Sequence, residues 1–274
     1  MTKANTKDRR GSGLTPKERS EKIERFCLMD DRFMTTVFQN DKECAELILQ
    51  ILIEKETLRV VEMQTQYQIE NLKGRSVRLD IYATDAAGKK YNIEVQRTDE
   101  GASAKRARYN SSLMDANVLK EGESPEKLPE TYVIFITEND VLGGNKPIYH
   151  IDRRVLQTGE EFGDQAHIIY ANASCQEDTP IGRLMHDFTC SNPHEMYYDL
   201  LKEKTRYYKE EEKGRAEMSG VLEEVYEEAR EEALREERRK DVFRMLKKNF
   251  SIEQIADIKD MKVEEVRALA AEVK

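Results

Sequence analysis

Two short segments of alternating polarity contain the residues of this chain that are best suited to chemistry. They are Arg78–Tyr82, which reads Arg-Leu-Asp-Ile-Tyr, and Asn92–Gln96, which reads Asn-Ile-Glu-Val-Gln. Successive side chains of a strand alternate between faces, so Asp80 lies opposite to its apolar neighbours, and Glu94 and Gln96 share one face. If the two strands pair as a hairpin, Asp80 and Glu94 lie side by side.

Two carboxylates held side by side repel each other unless a cation lies between them. Oxygen ligands with room for several waters suit Mg²⁺, which is usually held by one or two carboxylates together with substrate phosphate. Asp80 and Glu94 therefore predict a Mg²⁺ site. Such a metal activates water and neutralises charge on a phosphate, and Gln96 stands where its amide can orient the attacking water. The same spacing also fits a simpler interpretation, in which the three residues are the solvent-exposed face of an antiparallel sheet.

The sequence around these segments predicts the elements that position them. Between Leu58 and Gln96, a period of two with turn signals at 71–74 and 85–88 predicts a meander of three strands. A largely buried helix is predicted before it, beginning near Asn40, because Asn40 and Glu43 have the spacing of a capping box.

The elements after the meander complete the predicted core. Helical sequence covers 102–120, and the β-branched and aromatic run 132–136 predicts a strand buried on both faces. A further short strand is predicted at 167–170. The predicted fold class is therefore α/β, with a core in the order helix, three strands, helix, strand, and an α-helical C-terminal tail.

The two segments and the turn between them resemble the core of the PD-(D/E)xK nuclease superfamily. Residues 78–83, a turn at 85–88 and residues 91–96 carry the resemblance. The chain is most similar to the recombination-promoting nuclease and transposase-like family, whose members carry Glu-x-Gln where most of the superfamily has Glu-x-Lys. The predicted order of elements is also that of the restriction-endonuclease-like core, and the similarity extends from about Phe26 to Tyr170.

The resemblance implies a metal-dependent DNA endonuclease that hydrolyses phosphodiester bonds, with Asp80 and Glu94 as metal ligands and Gln96 in place of the usual lysine. Because an amide carries no positive charge, the alternative is a catalytically weak or inactive nuclease-fold protein that binds DNA or serves in assembly. Many members of the superfamily also use an acid from the first helix. Glu43 is therefore a candidate for an additional acid, and Glu46 is a second one.

Cationic and aromatic residues flank the candidate site. Positive side chains near a bound backbone give affinity without sequence preference, and a tyrosine can stack on a nucleotide. We expect phosphate contacts first from Arg78 and Arg106. Further DNA contacts are expected from the rest of the group, whose alternative role is a solvated sheet edge: Arg75, Arg97, Lys105, Arg108 and Tyr109.

The net charge of −9 is unevenly distributed along the chain. Residues 210–237 hold twelve Asp and Glu against four Lys and Arg, a net charge of −8 that leaves −1 for the remainder. Nucleic-acid binding depends on positive charge near the phosphates. Since the acidity is concentrated in one segment, it does not exclude a phosphate-binding site elsewhere.

Composition divides the 274 residues into four predicted regions. Residues 1–25, with eight Lys and Arg against four Asp and Glu, are predicted to be a flexible basic arm, and residues 26–200 a nuclease-like domain. Residues 201–240 are predicted to form a long charged helix whose thin apolar stripe is a candidate for homo-oligomerisation. Residues 241–274 are predicted to form a small helical hairpin of helix-turn-helix type.

The hydropathy of the sequence predicts a protein that does not associate with a membrane. The apolar runs are shorter than the ~18 residues that a membrane span needs. Residues 1–10 are basic and polar and lack the apolar segment of a secretory signal. We therefore expect a soluble, cytoplasmic protein.

Overall fold

The structure, a computed structural model, describes residues 14–39, 41–71 and 74–271. It confirms the α/β fold class and the core order of helix, three strands, helix, strand. The strands are β1 Val60–Ile69, β2 Val77–Asp85, β3 Lys90–Gln96, β4 Thr131–Thr137, β5 Ile148–Ile151 and β6 Ala166–Asn172. The helices are α1 Pro16–Arg25, α2 Asp31–Phe38, α3 Lys42–Leu52, α4 Ala104–Val118, α5 Pro180–Thr189, α6 Asp199–Glu210, α7 Glu212–Lys247, α8 Ile252–Lys259 and α9 Val263–Ala271.

The six strands form one sheet in the order β1-β2-β3-β4-β6-β5. The strands β1, β2 and β3 form the predicted antiparallel meander. β4 then pairs with β3 in parallel, and β6 pairs with β4 in parallel. Since parallel neighbours need a crossover connection, the chain leaves the carboxyl end of β3 and returns through α4. The first turn of α4 is thereby brought near the carboxyl end of β3.

The apolar layer between α4 and the sheet holds these elements in place. Phe135 and Tyr170 of the sheet pack with Ala107 and Met114 of α4 in one buried cluster. Ile134, which alternates to the other face of β4, is also fully buried. Each such large apolar side chain contributes about 1.5–3 kcal/mol, so β3 and β4 form a rigid support for the carboxyl end of the sheet.

The N-terminal region differs from the predicted flexible arm. Residues 1–13 of that arm lie outside the described residues, but Pro16–Arg25 is a helix because Ile23 is buried and anchors it. The cap predicted for α3 also differs. Asn40 lies outside the described residues, and the Oδ1 atom of Asp41 accepts from the backbone N–H groups of Glu43 and Cys44 at 3.1 and 3.3 Å. Asp41 is therefore the N-cap of α3.

Besides α1, three short elements are absent from the sequence-based prediction: α2, β5 and α5. Each spans ten residues or fewer, which is too short for the period of apolar residues to be distinctive. The edge strand β5 pairs with β6 alone and is largely exposed.

The described residues divide into two compact units, residues 18–218 and residues 219–271 together with 14–17. The charged segment predicted at 201–240 is two helices, α6 and α7, which are separated at Glu211. In the region predicted as a helical hairpin, α8 and α9 follow α7, Ser251 and Gln254 form a capping box at the start of α8, and the apolar cluster of the second unit is centred on Val242, Ile255 and Val266. No helix in the described part of the chain is long and apolar enough to span a membrane.

Candidate active site

A wide cleft of 1380 Å³ lies at the carboxyl end of β3. Its walls come from the start of α2, the β1–β2 turn, β2, a 3-10 turn at Asp99–Ala102 and the first half of α4. The side chains that give it chemical character include Asp31, Arg75, Arg78, Asp80, Gln96 and Arg106.

The pairing of β2 with β3 brings the two predicted carboxylates together. The antiparallel register pairs Ile81 with Ile93, and one further residue along this register sets Asp80 across from Glu94. The Oδ2 atom of Asp80 also accepts a hydrogen bond from the backbone N–H of Val95 at 3.0 Å. Asp80 is thus fixed against the strand that carries Glu94.

The site is not a solvent-exposed sheet face, which was the simpler interpretation of the sequence. Glu94 is fully buried, because the parallel register sets it beside Phe135 on the face that α4 covers. Burial raises the pKa of Glu94, and the charge of Asp80 raises it further. Burial likewise raises the pKa of Asp80, with a smaller contribution in the same direction from the charge of Asp31. Two carboxyl groups held in this way favour a cation between them.

Arg106 neutralises part of this charge. Its Nη2 atom contacts Glu94 Oε2 at 2.7 Å, and its charge opposes the rise in the pKa of both carboxyls. Ser103, the N-cap of α4, accepts a hydrogen bond from the backbone N–H of Arg106 and fixes the first turn that carries it.

The other oxygen of Glu94, Oε1, makes no hydrogen bond of ordinary geometry within the described residues, and the same is true of both amide atoms of the buried Asn92, two residues earlier on the same face. The Asn92 amide and the backbone N–H of Asp80 nevertheless lie close enough to lower the pKa of Glu94, against the larger effect of burial. Buried polar atoms without partners are rare and call for an explanation such as an ion or a water. Two of these three atoms, Glu94 Oε1 and Asn92 Oδ1, are hard oxygen atoms of the kind that fits a cation such as Mg²⁺, and the third is the amide nitrogen of Asn92.

No three His, Cys, Asp or Glu side chains of the described ranges are grouped so that they could hold a metal ion by themselves. A pair of carboxylates nevertheless suffices for Mg²⁺, which keeps several waters and takes further oxygen ligands from substrate phosphate. Asp80 and Glu94 therefore fit a two-carboxylate site of this kind.

Gln96 follows Glu94 on the same face and lies against Gly101 of the 3-10 turn. A Cβ atom on Gly101 would overlap the Oε1 atom of Gln96 and would lie 3.6 Å from Nη1 of Arg106. Any side chain at position 101 would displace the Gln96 amide from this position. Gly101 has no signature in the sequence, because a glycine after a strand is an ordinary loop residue until its neighbours are known.

Two of the predicted DNA-binding residues are occupied by other contacts. Arg97 pairs with Asp30 at 2.9 Å and donates to the sulfur of Cys27 at 3.3 Å, so its charge is largely neutralised. The hydroxyl of Tyr109 donates to the backbone carbonyl of Arg75. The tyrosine therefore anchors the β1–β2 turn through its hydroxyl, and stacking of its ring on a nucleotide stays a prediction.

The remaining cations of the group are available to a ligand. Among the residues that the structure describes, none of them makes an ion pair, and all line the cleft: Arg75, Arg78, Lys105 and Arg108.

The acid expected from the first helix does not line the cleft, whereas an acid of α2 does. Glu43 is exposed in the first turn of α3 and does not line the cleft, because α3 buries its apolar face instead. Glu46 is also engaged elsewhere, since it accepts from the backbone N–H of Val60 at 2.8 Å. Asp31, at the start of α2, lines the cleft and acts electrostatically on Asp80. The acidic residues Asp30 and Asp31, shortly before the apolar Phe33, are the sequence signal that could reveal α2.

Comparison with known proteins identifies the family of the chain. Residues 34–250 match the family model described as PD-(D/E)XK nuclease family transposase. Comparison with curated proteins gives no match, and neither does comparison with solved structures. PD-(D/E)XK nucleases generally use divalent metals, in agreement with the donor set of the cleft. Because the match spans most of the chain and all six strands, this protein belongs to the PD-(D/E)XK nuclease family transposases.

Proposed function

We propose that this protein is a metal-dependent DNA endonuclease that hydrolyses phosphodiester bonds at the carboxyl end of β3. The observation that carries the proposal is the pairing of Asp80 with the fully buried Glu94, whose Oε1 atom makes no hydrogen bond of ordinary geometry within the described residues. A buried carboxylate oxygen left unpaired costs about 1–3 kcal/mol or more. A bound cation removes that cost, and membership of a nuclease family makes DNA the expected substrate.

Asp80 and Glu94 would hold the metal, which we take to be Mg²⁺. When bound, such an ion lowers the pKa of a coordinated water and neutralises charge on the scissile phosphate. The role of the protein is to supply the two carboxylates in a fixed arrangement, Asp80 through its hydrogen bond from Val95 and Glu94 through its burial in the sheet.

Gln96 would orient the attacking water. Its amide can donate and accept hydrogen bonds, and it lies on the same strand face as Glu94. The contact with Gly101 restricts where the amide can go. Restricted orientation of this kind lowers the entropic cost of bringing the nucleophile into line.

The four unpaired cations and the start of α4 would bind the DNA backbone. Arg75 and Arg78 lie on one wall of the cleft, and Lys105 and Arg108 on the helix. The N-terminus of a helix also favours anions, because its first backbone N–H groups have no partner within the helix. Such contacts predict binding that weakens steeply with salt and shows little sequence preference.

Cleavage of supercoiled plasmid by the full chain tests the proposal. We expect nicking or cutting that depends on Mg²⁺ and stops on chelation. Asp80→Asn and Glu94→Gln should each lower the rate by at least about a hundredfold, in the range seen when a group that stabilises the transition state is removed. Glu46→Gln changes a carboxylate outside the cleft and is the matched control.

Two outcomes contradict the proposal. Cleavage by both site variants at the parent rate would place the chemistry elsewhere. DNA binding without cleavage, for Mg²⁺ and Mn²⁺ and for duplex and single-stranded DNA, would establish the alternative of an inactive nuclease-fold binding module.

The helix α7 remains a proposed element of homo-oligomerisation. Its residue Leu234 is 46% exposed and lines a groove of 510 Å³ with Met261 and Leu269. Light scattering of the full chain should give a mass above that of one chain, and Leu234→Glu should reduce it.

A further inference from the structure

Arg106 is the cation of the cleft that contacts the carboxylate pair. Its Nη2 atom lies 2.7 Å from Oε2 of the fully buried Glu94, while its own side chain is 39% exposed. The guanidinium therefore extends from the buried carboxylate to the open cleft. Its position on the first turn of α4 is fixed by the Ser103 cap.

The same guanidinium lies next to Gln96. A Cβ atom placed on Gly101 would overlap Gln96 Oε1 and would lie 3.6 Å from Arg106 Nη1. The amide oxygen and the guanidinium therefore both lie close to Gly101. Within the described ranges, Nη1 of Arg106 makes no hydrogen bond, so this arm of the fork is free to donate to a ligand.

The chemistry of phosphodiester cleavage needs a positive charge at this position. Negative charge develops on the phosphate oxygens in the transition state, and preorganised cationic donors stabilise it strongly in a site shielded from water. Gln96 is neutral and cannot supply that charge. The guanidinium is permanently charged and can use one arm on a carboxylate and the other on a phosphate oxygen.

We infer that Arg106 is a catalytic residue for the hydrolysis proposed above, and that it supplies from α4 the positive charge that Gln96 on β3 cannot provide. The inference rests on the proposed function. It assigns Arg106 a contact with the scissile phosphate, whereas the other cations of the cleft contribute to DNA affinity. Nη2 stays on Glu94 and Nη1 donates to a phosphate oxygen, without transfer of the guanidinium proton.

Steady-state cleavage and Mg²⁺ titration of full-length Arg106→Gln test this role. We expect kcat to fall by about a hundredfold or more, with less than about a threefold change in KM for DNA. The affinity for Mg²⁺ alone, measured by calorimetry, should rise, because Glu94 loses a competing cation. Loss of a DNA-binding residue would instead raise KM, as we expect for Arg108→Gln on the same helix.

A double variant that moves the positive charge from α4 to β3 makes the test specific. Adding Gln96→Lys to Arg106→Gln returns a cation to the site from β3, so kcat should recover by at least about tenfold. If Arg106→Gln fails to fold, Arg106→Met decides: a lower kcat at unchanged KM supports the role, and an unchanged kcat overturns it.

The failure of this inference is distinct from failure of the proposed function. A parent protein that binds no metal and cuts no DNA would refute the function itself. A parent that cuts DNA, together with an Arg106→Gln variant that keeps its kcat, would overturn the role of Arg106 alone. The role of Arg106 would also be overturned if adding Gln96→Lys did not restore kcat in the Arg106→Gln variant.

Discussion

Gln66 donates a hydrogen bond from Nε2 to Oδ1 of Asp31 at 3.2 Å, and this contact joins the middle of β1 to the start of α2. The same amide donates to the hydroxyl of Thr35 at 3.0 Å. Gln66 has a φ of 52°, in the left-handed region, at the position of β1 that the register sets opposite Asp80. A non-glycine residue in such a region costs about 1–3 kcal/mol and persists only where the surrounding structure holds it. We therefore expect Gln66 to hold Asp31 beside Asp80.

Gln66→Gly should separate this positioning role from a purely structural one. Glycine adopts the left-handed conformation without cost, so the melting temperature should stay the same or rise. The Mg²⁺ affinity of the protein should nevertheless fall by about three- to tenfold, which is the effect of losing one positioned hydrogen bond. The control is Gln64→Ala, an exposed glutamine of the same strand. Equal Mg²⁺ affinity in Gln66→Gly and the parent would argue against the role.

The raised pKa values of Asp80 and Glu94 predict how stability depends on pH. Their folded pKa values lie above the unfolded ones. The contribution of these two groups to the stability of the metal-free protein is therefore greatest at or below the ordinary carboxyl pKa of about 4. This contribution falls as the pH rises through the raised pKa values. Mg²⁺ should restore more stability at high pH than at low pH, because it binds the ionised carboxylates.

Urea unfolding at several pH values, with and without Mg²⁺, measures this dependence. Glu94→Gln removes one of the two titrating groups, so the free energy of unfolding should fall less steeply with pH in the variant than in the parent. Parallel curves for the two proteins would show that Glu94 does not titrate in this way.

We expect that substitution of Lys209, which lies outside the cleft, strongly lowers the free energy of unfolding. It is 1% exposed, and its ammonium group donates to the backbone carbonyls of Glu24, Phe26 and Ser191. Burial lowers its pKa. Lys209→Met leaves these carbonyls without their donor, so the free energy of unfolding should fall by about 3 kcal/mol or more, at about 1–3 kcal/mol for each unsatisfied group.

Lys204→Met, which removes a partly exposed pair with Asp41, should cost about 1 kcal/mol or less. Similar losses in the two variants would contradict this assignment.

The sequence was sufficient to predict the carboxylate pair, because strand alternation and a short hairpin are local properties. Asp80, Glu94 and Gln96 follow a period of two on neighbouring strands, and the turn between them contains Gly88 with positive φ. The antiparallel pairing of β2 and β3 is therefore predictable without knowledge of the rest of the fold. The burial of Glu94 is not, since it depends on where α4 crosses the sheet.

The remaining features of the cleft depend on contacts between distant segments. Asp31 lies on a helix of eight residues, which gives too little periodicity to be recognised. The left-handed conformation of Gln66 has no signature in the residue type. Tyr109 was predicted to contact nucleotides, whereas its hydroxyl reaches the turn that carries Arg75. A contact of this kind joins residues 34 positions apart and cannot be inferred from spacing.

The most direct test of the metal site is a crystal of the full chain soaked in Mn²⁺, which stands in for Mg²⁺ and gives an anomalous signal. We expect one anomalous peak between the carboxylates of Asp80 and Glu94, within bonding distance of Glu94 Oε1. The peak should be absent in Asp80→Asn and Glu94→Gln crystals. No peak at this position, in a protein that cleaves DNA with Mn²⁺ in solution, would contradict the assignment of Asp80 and Glu94 as the metal ligands.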